Sequence, residues 1–307
     1  MKAVVDAERV VVALRDELGI GPVSRIEPAD DGSFNAVFRV VVVDRGLYVR
    51  INRDRDAYPR ELCAYRLAAA SGMPVPKIVG YLPDVPTIDA AMLVLGEIEG
   101  ESLDTASLSD NARRRVYEHA GAMLHRLHEA PVDGYGMLTV RDGMLRGESA
   151  SWRDYWLVDN PYDRNLEDIA RDGLVSGAVY ARVEAAIEAM RAAEIGPARL
   201  LHNDFTGVHI FTDGRNVTGV IDFGNALAGD PRYDIAMARY FRDALEADAL
   251  TRGYGPLALD PMVHEYAIYV AAIKVLWSHR NGNLAEARRR AGALGALVAK
   301  PGARSCR

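Results

Sequence analysis

The sequence predicts an α+β fold of two lobes, with a small antiparallel sheet in the N-terminal lobe and a larger, helical C-terminal lobe. Runs of β-branched and aromatic residues crowd the first third, long helical patterns dominate the rest, and the polar segment 96–102 separates them. The 307 residues suffice for about two domains of ~150 residues each. We place the lobes at residues 1–97 and 98–307, and we expect the cleft between them to bind ligand.

The first lobe is expected to begin with a helix and to continue as strands. Apolar residues at helical spacing predict a helix over residues 4–18. Two runs rich in β-branched residues flank a turn at 44–46 and predict an antiparallel hairpin, with strands at 35–43 and 46–51. The remaining elements expected in this lobe are a helix at 59–70 and strands at 77–81 and 91–95.

The second lobe is expected to be mainly helical. Amphipathic patterns predict its helices at 110–130, 180–194, 234–248, 262–278 and 284–299. Residues 200–225 revert to strands and turns, with short strands at 209–212 and 217–222 around a turn at Asp213 and Gly214. This strand-and-turn segment carries most of the residues that suit chemistry.

Composition excludes several classes of protein. The chain has 37 Lys and Arg against 43 Asp and Glu, and this net charge of -6 argues against a general nucleic-acid binder. Cys63 and Cys306 offer neither a disulfide scaffold nor a metal-binding spacing. No apolar run approaches ~18 residues, so no membrane span is expected. Because residues 1–19 lack a signal-peptide pattern, we expect a cytoplasmic protein.

Two acidic residues stand at the ends of the predicted 209–222 hairpin. Asp204 precedes its first strand and Asp222 ends its second. Phosphoryl transfer uses one carboxylate near the attacking hydroxyl and others that hold divalent cations on the phosphates. Mg²⁺ prefers one or two carboxylates together with phosphate oxygens, so this pair of acids suits it.

Three blocks in this segment point to one family. In order, they are His202-x-Asp204-xxxx-His209, Ile221-Asp222-Phe223 and Gly229-Asp230-Pro231-xx-Asp234. Together they resemble the aminoglycoside and macrolide phosphotransferases, which are small-molecule kinases with a protein-kinase-like fold. The resemblance covers roughly residues 22–240. It implies a two-lobed kinase-like protein that uses Mg²⁺ and takes ATP or GTP as phosphoryl donor.

The resemblance assigns roles within these blocks. It makes Asp204 the catalytic aspartate that orients the acceptor hydroxyl and takes its proton, while His202 braces the loop. It makes Asp222 a metal ligand, and His209 stands where the family carries an asparagine ligand. Asp230 and Asp234 are expected to tie the segment to neighbouring helices.

The N-terminal lobe agrees with the same family. Ser33, Phe34 and Asn35 fall in a stretch that resembles its phosphate-covering loop. Arg50 falls on the strand position that holds the nucleotide phosphates, and Glu61 matches the acid that pairs with it. The segment 92–100 resembles the interlobe hinge, whose backbone at Gly96 and Ile98 is expected to meet the purine edge.

Two positions depart from the common pattern. Arg50 replaces the lysine of protein kinases. A guanidinium can bind phosphate through two parallel hydrogen bonds, whereas an ammonium acts as a point charge. His209 replaces asparagine, and imidazole is a less natural ligand for Mg²⁺ than an amide oxygen. Macrolide phosphotransferases resemble this chain at both positions, so Arg50 and His209 do not indicate an inactive enzyme.

The acceptor site is expected in the helical lobe, where aromatic rings can stack on sugars and acids can hold amines. Its candidate residues are Trp152, Tyr155, Asp163, Glu265, Tyr266 and Trp277. For each aromatic residue the alternative is packing between helices. Fold does not determine substrate, so the acceptor is not identified by this pattern.

The sequence therefore predicts a kinase that phosphorylates a hydroxyl of a small molecule, acting as a monomer or homodimer. The acceptor expected is an antibiotic of the aminoglycoside, macrolide or nucleoside type, and the effect is resistance or self-protection. Two alternatives remain open. One is a metabolic kinase for choline, fructosamine or an amino sugar, and the other is a nucleotide-binding pseudokinase without turnover.

Overall fold

The computed structural model describes residues 5–29, 35–160 and 164–299. The helices in these ranges are α1 Ala7–Leu18, α2 Ala57–Ala70, α3 Asp110–Leu127, α4 Trp152–Asp154, α5 Asp168–Arg171, α6 Gly177–Ala192, α7 Pro231–Tyr240, α8 Ala244–Tyr254, α9 Pro261–Arg280 and α10 Leu284–Val298. The strands are β1 Val23–Pro28, β2 Ala36–Val42, β3 Arg45–Asn52, β4 Ile78–Val85, β5 Ala90–Gly96, β6 Glu101–Ser102, β7 Tyr135–Arg141, β8 Met144–Ser149, β9 Arg199–Leu201, β10 Ile210–Thr212, β11 Val217–Val220 and β12 Leu227–Gly229.

Five antiparallel strands form the N-terminal sheet in the order β1-β2-β3-β5-β4. The predicted hairpin is present as β2 and β3, although its turn lies at Val43 and Asp44, one residue earlier than expected. Strand alternation gives the sheet two faces. One face packs its apolar residues against α1, and the other carries Arg50. The sheet thereby directs Arg50 away from α1.

The C-terminal half is built around α9, a 20-residue helix that packs against α6, α7 and α10. The single helix predicted at 234–248 is wrong, because the structure has α7 and α8 there with a break at 241–243. Asp243 causes the break by capping α8, its side chain accepting a hydrogen bond from Glu246 N–H. The tertiary contacts of α3 with α8 then anchor this pair.

Two small sheets lie beside these helices and were only partly expected. One has the order β11-β10-β6, and the other has the order β8-β7-β12-β9. The β7–β8 hairpin, β12 and the N-terminal strand β1 have no counterpart in the sequence prediction. The predicted strand at 217–222 ends at Val220, and His209 lies in a 3-10 turn at Gly207–His209 rather than in β10.

The boundary between the lobes stays a prediction at 97/98. In its support, the last strand of the N-terminal sheet ends at Gly96. Helix α2 shares a hydrophobic cluster with the C-terminal helices, through Leu62 and Tyr65 among others. None of the helices within the described ranges is both long and apolar enough to cross a membrane.

The contact between α3 and α8 supplies a test of the packing. A Cβ at Gly121 would overlap the carbonyl oxygen of Leu250 and lie 2.8 Å from the backbone nitrogen of Tyr254. We expect Gly121→Ala to lower the free energy of unfolding by about 1–3 kcal/mol, because the two helices must separate. Urea unfolding measures this change.

The matched control is Gly292→Ala in α10, where no atom lies within 4 Å of the added methyl. That variant should raise the free energy of unfolding by up to ~1 kcal/mol, because alanine favours a helix more than glycine does. Equal destabilisation by the two substitutions would contradict the close packing of α3 on α8.

Candidate active site

The loop between β9 and the Gly207–His209 turn is held by a buried carboxylate. Asp234, in the first turn of α7, accepts hydrogen bonds from His202 N–H at 2.6 Å and from Asn203 N–H at 2.9 Å. His128 Nε2 lies 3.1 Å from the same carboxylate. Burial opposes its charge, but the hydrogen bond from His128 and the bonded amides outweigh burial and lower the pKa of Asp234. This geometry supports the structural role expected of Asp234.

His202 joins this loop to the segment that follows β11. Its Nε2–H donates to the carbonyl oxygen of Ile221 at 2.9 Å, and its Nδ1 accepts from Asp204 N–H at 3.2 Å. Both bonds require a neutral ring with its proton on Nε2. Complete burial lowers the pKa of His202, even though Asp234 acts in the opposite direction. The expected bracing role of His202 fits this geometry.

The side chains of Asp204, His209 and Asp222 converge. His209 Nδ1–H donates to the backbone carbonyl of Asp204 at 2.9 Å, which leaves the lone pair on Nε2. That Nε2 lies 3.7 Å from Asp222 Oδ2, and Nδ1 lies 3.6 Å from Asp204 Oδ2. Asp222 itself has φ 67° and ψ 67°, a left-handed conformation that is strained for a residue with a Cβ. The strained backbone points to a functional position.

Arg50 connects Asp222 to the N-terminal lobe. Its Nη1 is paired with Glu61, and its Nη2 lies 3.3 Å from Asp222 Oδ1. The Arg50 and Glu61 side chains are only 12% and 2% exposed. Burial disfavours the charged guanidinium, but Glu61 and Asp222 outweigh burial and raise the pKa of Arg50. Burial likewise opposes the charge of Asp222, and Arg50 and His209 outweigh it and lower the pKa of Asp222.

The expected phosphate-covering loop is described only at its end. Ser33 and Phe34 lie outside the described residues. The Asn35 side-chain oxygen accepts hydrogen bonds from Asn52 at 3.0 Å and from the Tyr58 hydroxyl at 3.1 Å. These bonds anchor the end of the loop to β3 and α2. The side chain of Asn35 therefore serves the position of the loop, and its amide oxygen is not free to face a ligand.

The hinge candidates are Gly96, the last residue of β5, and Ile98, which follows the strand. Gly96 N–H donates to the carbonyl oxygen of Lys77 at 2.8 Å, so only the Gly96 carbonyl is left to meet a purine. Tyr48, which was not among the predicted site residues, is half-buried and lies two residues before Arg50 on the same sheet face. The two-residue period of β3 was the signal that could have identified it.

Three acceptor candidates are buried in an aromatic cluster. Trp152 Nε1–H donates to the Tyr266 hydroxyl at 2.8 Å, and that hydroxyl donates to Asp230 Oδ2 at 2.8 Å. Tyr155 stacks on Trp152 with ring centroids 5.2 Å apart. Since all three side chains lie in the core, the structure favours the alternative of packing. The assignment of Trp152, Tyr155 and Tyr266 to the acceptor site stays a prediction, and their burial does not support it.

The other acceptor candidates differ from these three. Glu265 forms an ion pair with Arg182 at 2.8 Å. Trp277, on the C-terminal half of α9, is 57% exposed and keeps a free surface for stacking. Asp163 lies outside the described residues.

The residues present suit a divalent cation whose coordination is completed by phosphate oxygens. Asp222 offers a carboxylate, and His209 offers the lone pair of Nε2, which lies 3.7 Å from that carboxylate. Within the described ranges no group of three or more His, Cys, Asp or Glu side chains is arranged to hold a metal by itself. Mg²⁺ is commonly bound by one or two carboxylates with the remainder from substrate phosphates and water, so Asp222 fits it, whereas the imidazole of His209 is a less natural ligand.

The fold and this constellation are those of a phosphotransferase. Residues 25–268 match the phosphotransferase enzyme family, a span of well over half of the chain. The chain belongs to this family, and the resemblance predicted from the sequence is confirmed. The family model begins inside β1 and ends within α9, so it includes every element of the site.

Similar proteins of known activity are kinases of antibiotics. Hygromycin-B 4-O-kinase of Escherichia coli is 21% identical over 285 residues, which cover 90% of this chain and 81% of that protein. A thermostable mutant of aminoglycoside phosphotransferase APH(4)-Ia, crystallised with ADP and hygromycin B, matches with a TM-score of 0.76 at 21% identity, covering 94% of this chain and 97% of that chain. The GDP complex of aminoglycoside 2'-phosphotransferase-IIIa matches with a TM-score of 0.71 at 16% identity, covering 96% of this chain and 99% of that chain. The kinase-like α+β fold is thereby confirmed.

The buried, neutral His202 predicts a pH dependence of stability. An unfolded histidine takes up a proton below pH ~6.5, whereas folded His202, whose pKa burial lowers, takes up its proton only at a lower pH. The unfolded state therefore binds the extra proton, and stability falls as the pH falls below ~6.5, by at most ~1.4 kcal/mol per pH unit. The contribution of Asp234, whose pKa is lowered, is lost only below about pH 4.

The measurement is urea unfolding between pH 7.5 and 5 of the wild type and of His202→Asn. Because asparagine does not titrate, the stability of the variant should fall less steeply over this range. His119, whose pKa burial also lowers, is present in both proteins and cancels in the comparison. Parallel curves for the two proteins would contradict a neutral, buried His202.

Proposed function

We propose that this phosphotransferase moves the γ-phosphoryl group of ATP or GTP to a hydroxyl of an antibiotic, and so confers resistance or self-protection. The observation that carries the proposal is the convergence of Asp204, His209 and Asp222 beside the buried Arg50. The antibiotic class is supported by the names of the similar proteins, which act on or bind hygromycin B. We propose a cytoplasmic location, and the oligomeric state stays a prediction.

The nucleotide is proposed to lie between the N-terminal sheet and the segment that carries Asp222. Arg50, held by Glu61, directs its guanidinium toward Asp222 and supplies positive charge for the phosphates. The carbonyl of Gly96 and the N–H of Ile98 are proposed to bind the purine edge. Tyr48, on the same sheet face as Arg50, offers a ring for stacking.

Asp222 and His209 are proposed to hold Mg²⁺. Bound there, Mg²⁺ would neutralise the negative charge that develops on the phosphate oxygens. His209 contributes Nε2, because the bond from its Nδ1–H to the Asp204 carbonyl fixes the tautomer. The proposed ligands come from the two ends of the β10–β11 hairpin, which sets their spacing.

Asp204 is proposed to orient the acceptor. Its backbone N–H is bound by His202, and its side chain is partly exposed beside His209. A carboxylate in this place accepts a hydrogen bond from the attacking hydroxyl, aligns it for in-line transfer and takes its proton. No covalent intermediate with the protein is required, so positioning and charge account for the catalysis proposed.

The direct test is incubation of the protein with Mg²⁺, both purine triphosphates and a panel of aminoglycosides, macrolides, nucleosides, amino sugars, choline and fructosamine. Mass spectrometry should detect a product heavier by ~80 Da, the mass of the phosphoryl group transferred. Asp204→Ala should lower kcat by roughly three decades while leaving nucleotide affinity nearly intact, because Asp204 acts on the hydroxyl.

Two outcomes would contradict this proposal. A product found only with choline, fructosamine or an amino sugar would indicate a metabolic kinase. Tight nucleotide binding without any product would indicate a pseudokinase. Loss of less than tenfold in Asp204→Ala would remove Asp204 from the role proposed for it.

The role of His209 has its own test. In the presence of a non-hydrolysable triphosphate, His209→Ala should weaken Mn²⁺ binding by ~10-fold or more, because a ligand is lost. His209→Asn should restore much of this affinity, since the amide oxygen is a harder donor than imidazole. Electron paramagnetic resonance of free Mn²⁺ measures both. Unchanged affinity in His209→Ala would exclude direct ligation.

A further inference from the structure

Two charged residues, Asp104 and Arg242, lie against the turn that carries His209. Gly207 opens the Gly207–His209 turn, and a Cβ at this position would overlap Asp104 Oδ1 and lie 3.0 Å from Arg242 Nη1. Gly207 has no positive φ, so its backbone conformation does not call for glycine. What calls for glycine is the close approach of Asp104 and Arg242.

Arg242 is buried with only part of its hydrogen-bonding capacity satisfied. Its side chain is 3% exposed, its Nη1 donates to the Tyr117 hydroxyl at 3.0 Å, and Asp104 Oδ1 lies 3.6 Å away. The guanidinium also lies 5.0 Å from the centre of the Tyr117 ring. Its buried Nε and Nη2 have no partner among the described residues. Unpaired buried donors reduce the net stability that this arginine provides.

The segment that carries Asp104 is also joined to the chain beyond His209. Leu103 N–H donates to the carbonyl oxygen of Ile210 at 2.8 Å, and Ser102 pairs with Phe211 in the sheet. Asp104 therefore contacts the start of the turn while its neighbours hold the residues that follow it. A single turn held at both ends has little freedom to move its last side chain, His209.

We propose that Asp104 and Arg242 are positioning residues that set the Gly207–His209 turn, and through it the direction of His209 Nε2 toward Asp222. The inference rests on the proposed function, because it assigns Asp104 and Arg242 to the metal site through His209. In this proposal neither residue binds the metal or the nucleotide. Their effect should therefore appear in metal affinity and not in the affinity for nucleotide without metal.

The experiment uses the full chain with Mn²⁺ and a β,γ-imido triphosphate. Asp104→Ala and Arg242→Met should each raise the Mn²⁺ Kd by roughly tenfold, as loss of a group that orients a ligand does. The double variant should show less than the summed effect, because both residues act on one turn. The Kd of the triphosphate without metal should change by less than about twofold.

Arg113→Met is the matched control. Arg113 forms ion pairs with Asp243 and Glu246 near Arg242, at the α3–α8 interface, and its ion-pair partners within the described ranges do not include the Gly207–His209 turn. It should lower the Tm and leave the Mn²⁺ Kd unchanged. Asp104 is 48% exposed, so Asp104→Ala keeps the proposal testable if Arg242→Met does not fold.

The outcomes distinguish a failure of this positioning proposal from a failure of the proposed metal site. If His209→Ala weakens Mn²⁺ binding but neither Asp104→Ala nor Arg242→Met does, the positioning proposal is wrong and the metal site stands. If His209→Ala has no effect on Mn²⁺ binding, the proposed metal role of His209 fails as well. Equal losses in Arg113→Met and Arg242→Met would show that general destabilisation is the cause, which also overturns the proposal.

Discussion

The buried carboxylate of Asp234 is the constraint on which the rest of the site depends. It accepts hydrogen bonds from the backbone amides of His202 and Asn203, which would otherwise be buried without partners. His128 and Tyr254 continue the network, since the His128 ring bridges Asp234 and the Tyr254 hydroxyl. The loop that presents Asp204 is thus bonded to α3, α7 and α8 at once. A fully satisfied polar network of this kind favours one backbone conformation.

A second chain of charges runs from α2 to the loop. Glu61 holds Arg50, Arg50 reaches Asp222, and Asp222 lies beside His209. Because the side chains of Arg50 and Glu61 are largely removed from water, removing either one leaves the charge of the other uncompensated. The left-handed backbone of Asp222 adds strain at the same place. Such a site gives up stability for a preorganised arrangement of charges.

The aromatic residues show how the same residue types serve packing. Trp152, Trp156, Tyr233 and Tyr266 surround one another in the C-terminal core, and the Tyr266 hydroxyl reaches Asp230. Asp230 in turn caps α7 and binds Arg232. Buried tyrosine and tryptophan need partners for their polar atoms, and the cluster provides them for Trp152 and Tyr266, whereas the buried Nε1 of Trp156 has no hydrogen-bond partner among the described residues. The cluster supports α7, which carries Asp234, so its contribution to the site is indirect.

The sequence by itself determined the family, the positions of most helices and the identity of the polar residues at the centre of the site. These depend on local patterns: hydrophobic period, turn residues and the spacing within the His202–Asp234 segment. It also indicated Arg50 and Glu61, although only through resemblance, since nothing local pairs a strand with a helix.

Only the tertiary structure decided which way each of these groups points. The tautomers of His202 and His209 follow from carbonyl oxygens supplied by other turns, and the break between α7 and α8 follows from a cap that competes with a continuous helical pattern. The short strand β12 exists because the distant strands β7 and β9 pair with it, whereas β7 and β8 pair with each other across the turn at Asp142 and Gly143. The burial of Trp152 and Tyr266 and the approach of Asp104 and Arg242 to Gly207 likewise join residues far apart in the chain. Such contacts produce no periodic pattern in the sequence, because they depend on the shape and the charge of a place where several elements meet.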